Sequence, residues 1–338
     1  MSELQEIIGA DGVQRQSDLG EVKHGALAWV SESLPEDAGI IPLDKACLKE
    51  LMEVACTLHA NPLPLAALRP EDFDMPICRD LMRYARETLD TGVGFIIIDR
   101  LPMEELDSES ATRLYWLLGN MISRTVAQKW DGTMKYDVRD TGKSMSPGNG
   151  VRASITNKAQ QFHTDNSFNL PPEYVALLCL QTAKEGGISG VVSFQTVHNR
   201  LFQRHPDLLR RLYQPFWFDR QMEHPLNDPN KANNWPMFAY DGKQLHTRFS
   251  TRLIHGGYEV VGEALDEVGR AAITAVESIL HEPGMVHDFS FEPGQIQILN
   301  NWCLGHRRTG FEDWTEPERR RHLVRLWFRD SGRPFYNG

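Results

Sequence analysis

The chain carries near its end the stretch that decides the fold, Arg321-His-Leu-Val-Arg-Leu-Trp-Phe-Arg329. Successive side chains of a strand point to opposite faces, so this stretch predicts a strand with Arg321, Leu323, Arg325 and Trp327 on one face. An arginine on so apolar a strand needs an anion, because an unpaired buried guanidinium is costly. A bound carboxylate held by two parallel hydrogen bonds would supply the anion, and a structural salt bridge to a protein carboxylate is the alternative.

Short strand candidates recur upstream of this stretch. Together with it, they cover residues 174–182, 191–194, 216–220, 246–249, 295–300 and 322–328. Two clear helices interrupt them, at residues 196–213 and 263–281. Many short strands with few helices predict an antiparallel sandwich or a barrel-like core, with helices packed outside it.

The first third of the chain is mainly helical in its pattern. Apolar residues at helical spacing predict helices over residues 43–59, 77–89 and 103–122. A glycine-bounded apolar run predicts a buried strand over residues 92–99. Because no linker is visible, we expect one compact mixed α/β domain, with residues 1–90 as an N-terminal helical flank and residues 91–338 as the core.

The composition excludes several classes of protein. The chain has 338 residues, of which 36 are Lys or Arg and 46 are Asp or Glu, so its net charge is −10. The densest basic cluster, Arg319-Arg-Arg321, directly follows Glu316 and Glu318, and we expect no nucleic-acid partner. The polar residues 1–20 and the shortness of every apolar run predict no targeting signal and no membrane span, hence a cytoplasmic protein.

A histidine and a carboxylate lie two residues apart in Phe162-His163-Thr164-Asp165, where an extended backbone would project both from one face. Taken alone, such a pair is better explained as a surface hydrogen bond. A third ligand, His306, follows the predicted strand over residues 295–300. Two imidazoles and one carboxylate leave three positions of an octahedral ion open, an arrangement typical of non-haem Fe(II) oxygenases.

Several further motifs follow one another along the chain. The full series is Phe162-His-Thr-Asp165, Ala176-Leu-Leu-Cys-Leu180, Gly186-Gly-Ile-Ser-Gly190, Asn300-Asn301, His306-Arg-Arg-Thr-Gly-Phe311, and Arg319-Arg-Arg321 followed by Arg325. From residue 92 to the C-terminus, the chain therefore resembles the TauD/TfdA, or clavaminate-synthase-like, family of Fe(II)/2-oxoglutarate-dependent dioxygenases. The resemblance implies a double-stranded β-helix, or jelly roll, with helices packed around it.

The resemblance also implies roles for individual residues. The iron ligands, and so the catalytic centre, would be His163, Asp165 and His306. Arg321 would form a salt bridge with the distal carboxylate of 2-oxoglutarate, and Ser189 would form a hydrogen bond with the same carboxylate. Arg325 would lie near the co-substrate or near an anionic group of the substrate.

The implied cofactors are Fe(II), the co-substrate 2-oxoglutarate and O2. In this family, the oxidation of 2-oxoglutarate to succinate and CO2 accompanies the oxidation of an unactivated C–H bond in a small molecule. Halogenating relatives replace the carboxylate ligand by a small residue, whereas this chain retains Asp165. Hydroxylation is therefore favoured, with desaturation and cyclisation by the same oxidant as alternatives.

Polar residues near the iron motif suggest where a substrate could bind. The candidates are Asn166, Arg152, Arg248 and Arg325. The arginines favour an anionic or zwitterionic molecule, such as an amino acid or a carboxylic acid. An apolar pocket for a natural-product intermediate is an alternative, shaped by Trp217, Phe249 and Trp302. Residues 129–157 predict a long loop that could act as a lid.

Two other classes of protein fit the same residues. One is a non-oxidative jelly-roll metalloenzyme, an isomerase or a hydrolase, although it would have no use for Arg321 and Ser189. The other is a non-catalytic binding protein on the same scaffold. The family also allows a homo-oligomer, which no apolar stripe in the sequence demands.

Overall fold

The computed structural model of the protein describes residues 22–144, 151–225 and 227–337. Two sequence predictions fall outside this part: residues 1–21, where we expect no targeting signal, and residues 145–150 of the loop. None of the described helices is long and apolar enough to cross a membrane.

Helices form an N-terminal group and a second group inserted between strands. The first group is α1 (Lys45–Ala60), α2 (Pro76–Thr91) and α3 (Ser108–Ile122). The second group is α4 (Phe194–Arg204), α5 (Pro206–Leu212), α6 (Thr251–Val261) and α7 (Glu267–Leu280).

The strands are short, as predicted. Up to the first long strand they are β1 (Ile40–Pro42), β2 (Phe95–Asp99), β3 (Thr125–Val126), β4 (Tyr136–Val138), β5 (Gln160–His163) and β6 (Tyr174–Gln181). The next are β7 (Glu185–Gly186), β8 (Ser189–Ser193), β9 (Pro215–Asp219), β10 (Ala232–Pro236), β11 (Phe238–Tyr240) and β12 (Leu245–Thr247). The last are β13 (His287–Phe289), β14 (Ile296–Asn300), β15 (Leu304–Arg308), β16 (Phe311–Glu312) and β17 (His322–Phe328).

Two sheets pack face to face. The larger sheet has the strand order β1-β2-β14-β6-β17-β3, with β4 also paired to β17, and the smaller has the order β13-β8-β15-β5. Leu323 and Cys179 of the larger sheet pack with Phe289 of the smaller one. Only the pairing of β1 with β2 is parallel within the described chain. The arrangement agrees with the antiparallel barrel-like core predicted from the strand pattern.

Alternation along β17 separates the inside of the barrel from its helical cover. Val324 and Leu326 belong to the apolar cluster that α1, α2 and α3 form with the outer face of the larger sheet. Trp327 belongs to the other large cluster, which includes Val191 and Val192 of the smaller sheet. Because side chains alternate, Arg325 points with Trp327 into the barrel.

The helix predictions need two corrections. Residues 196–213 are not one helix, because Pro206 has no N–H group to continue α4 and instead begins α5. Helix α6 was not predicted, because Gly256 and Gly257 lower its helix propensity. Gly257 has a packing reason: a Cβ there would lie 2.3 Å from the carbonyl oxygen of Trp217 on β9.

Two segments carry more regular structure than their patterns predicted. Residues 129–157, predicted as a loop, include β4 and a short 3-10 helix, Ala153–Ile155. The predicted helical flank contributes β1, which pairs with β2 at the edge of the larger sheet. The boundary at residue 90 stays a prediction.

Candidate active site

Three predicted metal ligands come together in the barrel. His163 ends β5 and lies directly opposite His306 on β15, with ring centroids 4.2 Å apart. Oδ1 of Asp165 lies 3.4 Å from Nε2 of His163 and 3.8 Å from Nε2 of His306. The candidate ligand atoms all lie within 4.8 Å of one another. Two imidazoles and a carboxylate at this spacing fit a single Fe(II) ion.

The protonation states also fit a cation. Nδ1 of His163 donates to the carbonyl oxygen of Gln161 at 2.9 Å, which leaves the lone pair on Nε2. Burial, and then the neighbouring His163, lower the pKa of His306 to about 3, so its imidazole is neutral at neutral pH. Burial alone would raise the pKa of Asp165, but Arg325 and the two histidines hold it well below its usual range.

The backbone of Asp165 is fixed by Asn301, a residue of the Asn-Asn motif. The N–H of Asp165 donates to Oδ1 of Asn301 at 2.7 Å, and Nδ2 of Asn301 donates to the carbonyl oxygens of Asp165 and Pro172 at 3.1 Å each. Asn301 is fully buried. The motif therefore holds the turn that presents the carboxylate.

The other oxygen of Asp165, Oδ2, has two donors. Nε1 of Trp327 donates to it at 2.7 Å, and Nη1 of Arg325 lies 2.9 Å away. Nε of Arg325 in turn donates to Oε1 of Gln128 at 2.8 Å. Alternation along the sequence predicted Trp327 on the same face as Arg325 but indicated no role for it, and no sequence pattern indicated Gln128.

Arg321 lies at the start of β17 and is 4% exposed. Its Nη1 has no hydrogen-bond partner among the described residues, and its guanidinium lies 5.1 Å from the centroid of the Phe311 ring. Burial lowers the pKa of Arg321 to about 10, so it remains a cation at neutral pH. A Cβ at Gly187, whose φ is +70°, would lie 3.1 Å from Nε of Arg321. The glycine turn thus packs closely against this arginine.

A second buried arginine, Arg308, was missed by the sequence analysis. It pairs with Ser189 across β15 and β8, so both side chains share the face of His306 two residues away. Nη2 of Arg308 donates to the carbonyl oxygen of Thr156 at 3.0 Å, but Nε and Nη1 have no partner within the described residues. Burial lowers the pKa of Arg308 to about 9. Counting alternate residues from His306 would have placed it inside.

A cavity of about 420 Å³ opens beside His163 and Asp165, whereas His306, Arg321 and Ser189 are not among its described lining residues. Arg325 and Trp327 form part of its wall with His163 and Asp165. Its polar lining also includes Arg152, Asn166, Gln160, Gln221, Thr251, Arg252, His255 and Glu277. The cavity thus connects two of the candidate metal ligands with charged residues.

The predicted substrate residues divide into two groups. Arg152 lines the cavity but pairs with Glu223 at 2.5 Å, and Asn166 lines it while donating to the carbonyl oxygen of Leu170. Arg248 is not among the lining residues, and its Nη1 donates to the carbonyl oxygen of Ser167 at 3.0 Å. The three aromatic residues of the apolar alternative, Trp217, Phe249 and Trp302, are also absent from the described lining.

Arg252 is a lining residue that the sequence analysis did not single out. It is exposed, it lies in the first turn of α6, and it has no hydrogen bond or ion pair with any described residue. Glu277 of α7 supplies a negative charge to the same cavity and accepts a hydrogen bond from the hydroxyl of Thr251 at 2.9 Å. Both residues lie on helices, and only the tertiary structure brings these helices to the site.

The fold and the site together define a jelly-roll protein with a candidate His-x-Asp…His metal site. The profile of the "Taurine catabolism dioxygenase TauD, TfdA family" matches residues 60–327. The chain therefore belongs to the TauD/TfdA family of Fe(II)- and 2-oxoglutarate-dependent dioxygenases, and it is an oxidoreductase. This confirms the predicted family, fold and enzyme class, together with the cofactors of that class, Fe(II), 2-oxoglutarate and O2.

Two curated relatives are similar over most of their length. "FR-33289 synthase" of Streptomyces rubellomurinus is 29% identical over 297 residues, which cover 87% of this chain and 86% of the relative. "Taurine hydroxylase-like protein SAT17" of Stachybotrys chartarum is 24% identical over 312 residues, which cover 89% of this chain and 78% of the relative.

Solved structures share the fold at lower identity. An asparagine oxygenase in complex with Fe(II), 3-hydroxyasparagine and succinate has a TM-score of 0.66 at 17% identity, covering 86% of this chain and 93% of that chain. The non-heme iron oxygenase OrfP in complex with Fe and α-ketoglutaric acid has a TM-score of 0.63 at 12% identity, covering 86% and 94%. Membership of an oxygenase family leaves the non-oxidative metalloenzyme and the non-catalytic binding protein without support.

Proposed function

We propose that the protein hydroxylates an unactivated C–H bond of a small molecule that carries an anionic group, with release of succinate and CO2. The observation that carries this proposal is the cavity beside the cluster of three candidate metal ligands: His163 and Asp165 line it, and so does Arg252, which has no ion pair with a described residue. Bound Fe(II), together with 2-oxoglutarate and O2, supplies the oxidant for such chemistry. The protein holds the reactants and aligns the C–H bond.

His163, Asp165 and His306 are the proposed iron ligands. The neutral imidazole of His306 and the ionised carboxylate of Asp165 are the forms that bind a divalent cation. Gln160 lies close to this set, with its Nε2 2.8 Å from Nε2 of His163. Three protein ligands leave the positions that a chelating co-substrate and O2 require.

Arg321 and Ser189 are the proposed contacts for the distal carboxylate of 2-oxoglutarate. The unpartnered Nη1 of Arg321 supports this role, because a buried guanidinium gains most from a bidentate carboxylate. Ser189 lies on the inward face of β8, two residues from Val191, the cross-strand neighbour of His306. Arg308, paired with Ser189, adds a second positive charge to the same end of the barrel.

Arg252 and Glu277 are the proposed charged contacts for the substrate. Opposite charges on α6 and α7 fit a zwitterion or an amino acid, and Arg252 alone fits a carboxylic acid. The names of the solved neighbours, which include an asparagine oxygenase and an OrfP complex with hydroxy-L-arginine, support the amino-acid class. Arg152, Asn166 and Arg325 are proposed as further lining contacts.

A turnover assay tests this function. Purified protein with Fe(II), 2-oxoglutarate and O2 is offered a panel of amino acids, carboxylic acids and uncharged natural products. We expect an acid to yield succinate and a product heavier by one oxygen atom, in equal amounts. A dehydrogenated or a cyclised product would show that the reaction is desaturation or cyclisation, respectively, and not hydroxylation. Failure to consume 2-oxoglutarate with any substrate, while iron binds, would contradict the proposal.

Two further predictions concern the protein outside its site. A cytoplasmic location stays a prediction from the sequence, and a homo-oligomer stays an assembly that the family allows. Fractionation of the producing cell and light scattering of the purified protein would test them.

A further inference from the structure

The two oxygens of Asp165 have different surroundings. Oδ1 faces the two histidines. Oδ2 accepts a hydrogen bond from Trp327 and forms an ion pair with Arg325. The Asp165 and Arg325 side chains are 5% and 8% exposed, so water does not compete for these contacts. One oxygen is thus available to a metal while the other is engaged by the protein.

We propose that Trp327 is a positioning residue that, with Arg325, holds Oδ2 of Asp165 and so presents Oδ1 to the metal site. This inference rests on the proposed function, because it requires the three residues to bind Fe(II). A carboxylate can bind a metal through one oxygen or through both. Binding through both would occupy a position that the co-substrate or O2 needs.

The energy of the two contacts is sufficient for this role. Hydrogen bonds to an ionised carboxylate are about twice as strong as neutral ones, and burial strengthens them further. Oδ2 would have to lose both donors before it could turn to the metal. Groups that orient a metal ligand in this way typically change metal affinity by about 10- to 100-fold.

The donors themselves are held in place. The Trp327 ring stacks on the Tyr336 ring at an interplanar angle of 17°, and the Arg325 guanidinium lies 5.0 Å from the centroids of the Trp327 and Tyr136 rings. Fully buried Gln128 accepts from Nε of Arg325 and donates to its carbonyl oxygen at 2.7 Å. The indole N–H and the guanidinium therefore have little freedom to leave Oδ2.

The two donors have different functions. Arg325 supplies the charge that balances a buried carboxylate, so its removal would disturb the fold as well as the metal site. Trp327 fixes the orientation of the Asp165 carboxylate through one N–H group. Trp327→Phe retains an aromatic ring for packing and removes only that group, which makes it the cleaner variant.

The test is a titration of the metal-free protein with Co(II), or with Fe(II) under anaerobic conditions. We expect Trp327→Phe to bind the metal about 10- to 100-fold more weakly than the wild type. We also expect its Co(II) absorption spectrum to change, because Oδ2 becomes free to join the metal. A merely structural role of Trp327 would lower the melting temperature and leave the spectrum unchanged.

Trp217→Phe is the matched control. Nε1 of Trp217 also donates to a carboxylate, Oε2 of Glu263 at 3.0 Å, but neither residue lines the described cavity. This variant should bind Co(II) like the wild type. If Trp327→Phe fails to fold, Arg325→Lys tests the same oxygen. Lysine retains the charge but lacks the guanidinium that Gln128 holds against Oδ2 of Asp165. We expect weaker binding and an altered spectrum in this variant too.

The outcomes separate the two claims. Wild-type affinity and spectrum in Trp327→Phe, or in Arg325→Lys if that variant has to be used, would overturn the positioning role of these residues and leave the proposed metal site intact. Absence of metal binding by the wild type would contradict both the positioning role and the proposed function.

Discussion

The two ends of the barrel interior treat buried charge in opposite ways. At the metal end, Asp165, Arg325, Trp327 and Gln128 satisfy one another through short contacts. At the anion end, Arg321 and Arg308 are also buried, but both have nitrogen atoms without a partner in the described chain. Arg321 and Arg325 lie four residues apart, about 13 Å along one strand.

We infer that the buried charges at the two ends serve different purposes. At the metal end they position the candidate metal ligand Asp165, and at the anion end they would bind an external anion. Buried polar groups are normally hydrogen-bonded, so an unpartnered guanidinium in the core requires a physical reason. A bound carboxylate at the anion end would provide that reason. The metal end needs no such partner for Arg325, because Asp165 is already its anion.

The largest expected effect follows from removing one partner at the metal end. Asp165→Ala should abolish tight metal binding and lower the free energy of unfolding by about 3–5 kcal/mol, because Arg325 would be left buried without its anion. Metal titration and urea unfolding measure the two effects. Glu53→Ala, which breaks the exposed pair with Lys49, is the control and should cost about 1 kcal/mol or less. Equal losses of stability in both variants would contradict the claim that Asp165 balances the buried charge of Arg325.

The anion end should respond in the opposite way. Arg321→Met should weaken 2-oxoglutarate binding by roughly 30-fold or more, because the co-substrate carboxylate loses its charged partner. Its ligand-free stability should not fall, because no ion pair is broken. Co-substrate titration and unfolding of the same samples test both statements. A loss of stability as large as that of Asp165→Ala would mean that Arg321 has a protein partner after all.

Stabilisation of the folded protein by bound 2-oxoglutarate tests the same contrast. In wild-type protein with metal bound, 2-oxoglutarate at 100 times its Kd should add about 2.7 kcal/mol to the free energy of unfolding. With roughly 30-fold weaker binding, the gain in Arg321→Met at the same concentration should fall to about 0.9 kcal/mol or less. Thermal unfolding with and without the co-substrate measures it, and an equal gain in both proteins would exclude Arg321 from the binding site.

The smallest effect is expected at the rim of the cavity. Arg252→Ala should raise KM for an anionic substrate by about tenfold with kcat nearly unchanged, because an exposed charge contributes mainly to uniform binding. Its stability should stay within about 0.5 kcal/mol of the wild type. Steady-state kinetics with the acid that the enzyme hydroxylates give KM and kcat. A fall in kcat with constant KM would place Arg252 in the chemical step instead.

The sequence predicted those parts of the site that depend on local periodicity. His163 and Asp165 share a motif, His306 follows a strand, and alternation along β17 placed Arg321, Arg325 and Trp327 on one face. Helix α6 was missed because Gly256 and Gly257 are poor helix formers and are explained only by packing on β9. Arg252 was missed with it.

The contacts between distant segments could not be predicted in this way. Trp327 lies 162 residues from its acceptor Asp165, and Gln128 lies 197 residues from Arg325. No pattern in either segment indicates that they meet. The same holds for Arg308, whose open nitrogen atoms are recognisable only when all neighbours are known.

The central claim is that the metal end and the anion end together bind iron and 2-oxoglutarate. Its most direct test is anaerobic addition of Fe(II) and then 2-oxoglutarate to the purified protein, with the visible spectrum recorded at each step. We predict a weak metal-to-ligand charge-transfer band on addition of the co-substrate, and no band in His163→Ala. Iron binding by the wild type without this band would contradict the account.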